Sequence, residues 1–252
     1  MRSWLEEVAE ATKKEALAAL KRKEPWKAVS MGASGAPTSA LDAAAEKVII
    51  DALKDAPVPL NLATEEAGIV YNGAEWWLIS DPVDGTRNAL RNLPFHCVSL
   101  AIGQNDLSGV EMGIVHSIPS KETWWAEKGK GATRDGQKVK ARKLRTEEIL
   151  LSAALDYEKR LIWPKTSHVH VRDLGSAALE MCYVAAGAFD GFYSTQPLLR
   201  VVDIAASTLI VREAGGVVLD WNGDDLRVPF DVRKKFPMVA LGDRHALGVF
   251  RR

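Results

Sequence analysis

Trp76-Trp77-Leu78-Ile79-Ser80-Asp81-Pro82-Val83-Asp84-Gly85-Thr86-Arg87-Asn88 is the stretch on which the reading of this chain turns. Residues 76–80 form the apolar run of a buried strand, and Pro82 excludes a central strand there and forces a turn. The strand delivers two carboxylates, Asp81 and Asp84, into one bend. Two acids held that close repel unless cations neutralise them. Hard oxygen ligands suit Mg²⁺, which takes oxygens at about 2.0–2.1 Å. The Val83 carbonyl between them is a further ligand candidate. Gly85 lets a bulky anion approach the backbone, and the amides of Gly85 and Thr86 open a short helix expected over 86–91. Asp-Pro-x-Asp-Gly alone also describes a surface turn. The anchored strand before it and the helix start after it favour a site for metal ions and phosphate.

Three other places offer acids. Glu65 and Glu66, in Thr64-Glu65-Glu66-Ala67-Gly68, are either a solvated pair or a source of one metal ligand, Glu65. Asp203 follows Leu198-Leu199-Arg200-Val201-Val202 and is either a helix N-cap or a carboxylate aimed at the same metals. Asp42 lies four residues after Thr38, where an acid ordinarily compensates the helix dipole; the alternative is contact with Thr86 or a further metal.

Around these the chain predicts a mixed first half. An amphipathic helix spans 2–22, with Trp4, Leu5, Val8, Thr12, Ala16 and Leu20 at helical spacing, and Pro25 stops it. Residues 31–37 form a glycine-containing loop, and Thr38 caps a helix to about 53. Strands are expected at 98–103, 109–117 and 123–126, and 129–136 is turn-rich. The second half alternates strands at 150–155, 189–193, 217–219 and 238–241 with helices at 176–186 and 203–214, the last capped by Asp203 and closed before Gly215-Gly216. The charged stretch 138–148 suggests a soft boundary. An N-terminal α+β half, 1–140, would carry most metal ligands; a C-terminal α/β half, 141–252, would carry the late Asp and substrate contacts. Together they would form one compact unit.

Composition narrows the function classes. The 252 residues carry 33 Lys plus Arg against 33 Asp plus Glu, which argues against a nucleic-acid or anionic-membrane sheath. The apolar runs are far shorter than a spanning helix, and the acidic start at residues 1–10 is not that of a signal peptide. Cys97 and Cys182 read as buried reduced thiols of a cytoplasmic protein. The histidines have no zinc spacing, and neither a Walker loop nor a GxGxxG occurs.

The stretch 77–88 closely resembles the D-P-[IV]-D-G-[ST]-x-N signature of the inositol monophosphatase family. Asp203-Ile204-Ala205-Ala206 through Glu213-Ala214-Gly215-Gly216 is similar to the family's second signature, and Glu65-Glu66 sits at its E-E pair. Gly32 to Thr38 and Leu199 to Asp203 resemble the archaeal branch acting on both fructose 1,6-bisphosphate and inositol monophosphate. Ser34 stands where that branch commonly has Asp, which bears on a third metal ion, and Val202 stands where the wider family has Trp.

The resemblance implies a layered αβαβα sugar-phosphatase fold and Mg²⁺-dependent hydrolysis of a phosphate monoester, with two or three ions and Mn²⁺ as a substitute. Glu65, Asp81 and the Val83 carbonyl would hold one ion; Asp81, Asp84 and Asp203 a second. Glu65 and Thr86 would orient the water, with Asp42 supporting Thr86 or a third metal ion. Asp84 and the amides of Gly85 and Thr86 would face the phosphate, and Gly175, Ser176 and Ala177 the rest of the substrate. Arg172 and Arg200 are added for a second phosphate, which their planar fork suits. A homodimer is the family expectation. Two alternatives stand beside this reading: a 3′-phosphoadenosine 5′-phosphate phosphatase, and a non-catalytic regulatory binding protein on the same scaffold.

Overall fold

The computed structural model of the protein describes residues 1–33, 35–144, 148–156 and 168–248. Ser34 lies outside them.

Helix α1 (Arg2–Leu20) turns Leu5, Val8, Ala9 and Ala16 inward at the expected spacing. A two-stranded hairpin, β1 (Ala28–Met31) and β2 (Pro37–Ser39), brackets the glycine loop and leads into α2 (Ala40–Ala52). The cap of α2 is Ser39, not the expected Thr38. The Ser39 hydroxyl accepts from the Asp42 amide at 3.2 Å and donates to the Asp42 carboxylate at 2.7 Å, while Thr38 is spent on Glu66.

The first half continues as β3 (Leu60–Thr64), β4 (Gly68–Val70), β5 (Trp76–Asp84), α3 (Thr86–Leu90), β6 (Cys97–Gly103), β7 (Val110–Ser117), β8 (Thr123–Glu127), β9 (Gly131–Arg134) and β10 (Gln137–Lys138). Among the described residues these strands form one eight-stranded sheet, ordered β10-β9-β8-β7-β6-β5-β3-β4. Strand β5 does not end at Ser80 as expected. It runs on to Asp84, and its register against β6 shifts between Asp81 and Asp84. Pro82 falls inside that irregularity, where no ladder hydrogen bond is asked of its missing N–H. The bulge thus turns both acids without ending the strand. The stretch 129–136, expected to be turn-rich, holds the short paired strand β9 between turns at 128–130 and 135–136.

The second half holds β11 (Ile149–Ala153), β12 (Val169–Arg172), α4 (Ala177–Ala185), β13 (Gly191–Leu199), α5 (Val201–Glu213), β14 (Val217–Leu219) and β15 (Phe236–Leu241). Its sheet is ordered β12-β11-β13-β15-β14. Helix α5 begins two residues earlier than expected. Arg200 is its N-cap, and Asp203 is the third helical residue, its Oδ2 accepting from the Arg200 backbone N–H at 2.6 Å.

Side-chain alternation along β5 builds the layers. Leu78 joins Leu5, Leu41 and Ile49 beneath α1 and α2, while Ile79 faces α4 and α5. Helix α5 is buried without a break from Val201 to Val211, because it lies between the two sheets. Strand β7 approaches it so closely that a Cβ at Gly113 would stand 2.9 Å from the Ala206 carbonyl oxygen. On the far face of the second sheet, Leu151, Tyr193 and Val239 pack with Ala246 and Leu247 of a terminal 3₁₀ turn. The result is the layered α+β fold expected. Cys97 and Cys182 are both buried and unbridged. Among the described residues no helix is long and apolar enough to cross a membrane.

Candidate active site

A cavity of about 690 Å³ opens where the C-terminal ends of β3 and β5 meet the N-termini of α4 and α5. Asp42, Glu65, Asp81, Val83, Asp84, Gly85, Thr86, Gly175, Ser176, Ala177, Arg200 and Asp203 all line it. Arg172 does not; it is exposed at the end of β12, and its guanidinium donates to the Val171 carbonyl at 3.1 Å.

Three carboxylates from distant segments converge. Glu65, Asp81 and Asp203 each offer an oxygen within 4.8 Å of the others. Each is aimed by its surroundings. Glu65 follows β3, and the Glu46 carboxylate of α2 fixes the turn after it by accepting from the amides of Glu66 and Ala67, both at 3.0 Å. Asp81 Oδ1 accepts from the Val83 amide at 3.0 Å. Asp84 Oδ2 accepts from the Ser176 hydroxyl and the Ala178 amide, both at 2.7 Å. Thr86 Oγ1 lies 2.8 Å from Asp42 Oδ1 and 2.9 Å from the Val83 carbonyl, and its single proton serves one at a time. Gly85 adopts φ 89°, and a Cβ there would press on the Phe95 and Gly175 carbonyls at 3.0 and 3.1 Å. Helix α3 is barely a turn long, so its dipole contributes little at this end of the cavity.

The electrostatics are unbalanced. Burial, then the charges of Glu65, Asp84 and Asp203, pushes the Asp81 carboxyl well above the usual range. Burial lifts Asp84 to about 7 against the Ser176 bond. Glu65 is also raised, by burial, although Arg200 pairs with it. Burial raises Asp42 as well. Arg200 supplies the positive charge at their centre: its Nη2 is 2.6 Å from Glu65 Oε1 and 2.8 Å from Asp203 Oδ1. Of the five carboxylates named here, Arg200 makes ion pairs with two, Glu65 and Asp203. The donor set is all hard oxygen, the chemistry of Mg²⁺ or Mn²⁺ rather than of a thiophilic metal.

Sequence reasoning missed several residues that shape the site. Ser39 and Glu46 hold Asp42 and the Glu65 turn. The Asn88 amide ties the first half to the second, donating to the carbonyls of Phe95 at 2.8 Å and Leu174 at 2.7 Å. Glu180 accepts from the amides of Leu174 and Gly175 at 3.1 and 3.0 Å, fixing the segment opposite. Trp26 lines the cavity with 63% of its surface exposed. An acid in the first turn of α4 was a legible signal for Glu180; Trp26 had none.

Strand ends that deliver clustered acids to one cavity between two sheets are the arrangement of a class of metal-dependent phosphatases. The chain belongs to that class's inositol monophosphatase family, whose model matches residues 1–248. It is 30% identical to the fructose-1,6-bisphosphatase/inositol-1-monophosphatase of Methanocaldococcus jannaschii, with 96% of this chain and 94% of that protein covered. It is 34% identical to a bifunctional NADP phosphatase/NAD kinase of Methanococcus maripaludis over 88% of this chain, which spans 44% of that longer protein. The crystal structure of the MJ0109 gene product, an inositol monophosphatase-fructose 1,6 bisphosphatase, superposes with a TM-score of 0.89 at 29% identity, covering 99% of this chain and 97% of that one.

Proposed function

We propose that this chain hydrolyses phosphate monoesters in a Mg²⁺-dependent reaction, with inositol 1-phosphate and fructose 1,6-bisphosphate as substrates. The observation that carries this is the convergence of Glu65, Asp81 and Asp203 within 4.8 Å in a cavity also lined by Asp84 and Thr86. Glu65, Asp81 and the Val83 carbonyl would hold one ion, and Asp81, Asp84 and Asp203 a second, with Mn²⁺ as a substitute. Bound at such sites, divalent ions neutralise phosphate charge and make water a better nucleophile.

The chain's own groups do the rest. With its proton committed to Asp42, the Thr86 hydroxyl oxygen accepts a hydrogen bond from the attacking water. Glu65 orients the same water. Asp42, whose proton affinity is raised by burial, backs the hydroxyl. The amides of Gly85 and Thr86 receive the phosphoryl oxygens. Gly175, Ser176 and Ala177 form the opposite wall, steadied by Asn88 and Glu180. The new P–O bond forms to water as the P–O bond to the inositol or sugar oxygen breaks; one proton of the water ends on that leaving oxygen, and the alcohol and inorganic phosphate depart. No covalent enzyme intermediate is required. Assembly as a homodimer is proposed on family membership alone.

One observation favours a second reading. The exposed Trp26 indole gives the cavity a stacking face for a purine, which suits a phosphorylated adenine nucleotide. A panel of inositol 1-phosphate, fructose 1,6-bisphosphate, 3′-phosphoadenosine 5′-phosphate and NADP separates the two. Preferred release from the first pair supports the proposal. Release from the nucleotides alone replaces it. No release, with the protein folded and binding Mg²⁺, would favour the non-catalytic binding protein.

A further inference from the structure

Arg200 stands where a cation is needed and is itself a cation. Its Nε and Nη2 grip both oxygens of Asp203 at 3.3 and 2.8 Å, and the same Nη2 reaches Glu65 Oε1 at 2.6 Å, across 135 residues of sequence. Its side chain is only 12% exposed, yet it lines the cavity. The backbone of Arg200 is pinned separately, through its N–H to Asp203 Oδ2 at 2.6 Å. The guanidinium can therefore leave the acids by side-chain rotation alone, without moving α5.

We infer that Arg200 is the built-in counter-ion of the metal site: it occupies Glu65 and Asp203 until a divalent cation claims them, and its eviction frees a guanidinium for the anionic substrate. Two consequences follow from the geometry. A single charge shared between two carboxylates holds the acids together in metal-free protein, because their mutual repulsion is otherwise uncompensated. Metal and guanidinium compete for the same oxygens, so Arg200 weakens metal binding by the free energy of the pairs that must break. The second half of the inference, capture of the substrate's far anionic group, rests on the phosphatase reading; the first half does not.

The test titrates Mg²⁺ alone, calorimetrically, into EDTA-stripped wild type and Arg200→Met, which keeps an unbranched stem without charge. The variant is expected to bind Mg²⁺ about 5-fold or more tightly. In EDTA it should melt below wild type, and Mg²⁺ should raise its melting temperature by more. Arg200→Gln carries the same expectation should the Met variant misfold. Mg²⁺ binding that is unchanged or weaker in a folded variant overturns the inference and makes Arg200 a support for Asp203 instead. Phosphate release by wild type is measured alongside. If wild type turns over while the variant binds no tighter, only the counter-ion role fails. If wild type releases nothing, the phosphatase reading fails and the titration still decides the competition.

Discussion

The Thr86 hydroxyl and the Asp42 carboxylate lie 2.8 Å apart, joining the first turn of α2 to the residue that follows the Asp81–Gly85 bend. Ser39 holds the other Asp42 oxygen at 2.7 Å, so Asp42 has little freedom except to face Thr86. Removing the hydroxyl should cost positioning rather than binding. Thr86→Ala is expected to lower kcat about 10²-fold with KM nearly unchanged, and Thr86→Ser to restore most of it. Steady-state kinetics on inositol 1-phosphate check this; a Thr86→Ala enzyme with normal kcat removes Thr86 from the mechanism.

Asp81 is buried among Glu65, Asp84 and Asp203, whose charges destabilise its ionised form. Asp81→Asn keeps an oxygen for the Val83 amide and deletes one negative charge. Loss of this proposed ligand should reduce activity by more than about 100-fold, since even residues that only orient ligands cost about 10–100-fold. In EDTA the variant should melt no lower than wild type, because Asn cannot ionise and so escapes the burial and repulsion that disfavour the Asp81 carboxylate. An active variant, or one that melts much lower, contradicts the placement of Asp81 in the metal centre.

Glu180 supplies a pH dependence. Burial lifts its carboxyl from 4.5 to about 8. The folded protein thus holds a proton that the unfolded chain releases above about pH 4.5. Stability from this group is complete at low pH and falls as pH rises towards 8. Glu180→Gln, which accepts from the same amides without titrating, should flatten that slope and melt higher than wild type at pH 8. Thermal melts from pH 5 to 9 decide it; parallel curves for the two proteins exclude Glu180 as the source.

Gly113 tests the packing of the central helix. A methyl group there meets Ala206 backbone atoms at 2.9 and 3.0 Å, which only movement of β7 or α5 relieves. Gly113→Ala should cost about 1–3 kcal/mol. Chemical denaturation measures this, and an unchanged midpoint would show that the two elements separate freely.

Local features of the site were legible because their causes are local. The strand into Asp81, the short helix after Gly85 and the helix closed by Gly215 follow from periodicity and capping within a few residues. Two errors, at Pro82 and Thr38, lie where tertiary contacts override such rules, and the third, at Asp203, is a local capping interaction with Arg200. Pro82 looked like a strand terminator, but a bulge against β6 absorbs it. Thr38 and Asp203 looked like caps, but Glu66 engages the first, and Arg200 starts the helix before the second. Long-range pairings were the least legible. Nothing in Arg200 or Glu65 announces the other, because their meeting depends on β3 and α5 being brought to one cavity by separate sheets.

Phosphate release from inositol 1-phosphate and fructose 1,6-bisphosphate, measured with Mg²⁺ and again after excess EDTA, tests the central claim most directly. The acid cluster at Glu65, Asp81 and Asp203 predicts release with Mg²⁺, its abolition by EDTA, and recovery when Mg²⁺ or Mn²⁺ is restored. Release that persists in EDTA, or is absent from folded protein saturated with Mg²⁺, would contradict it.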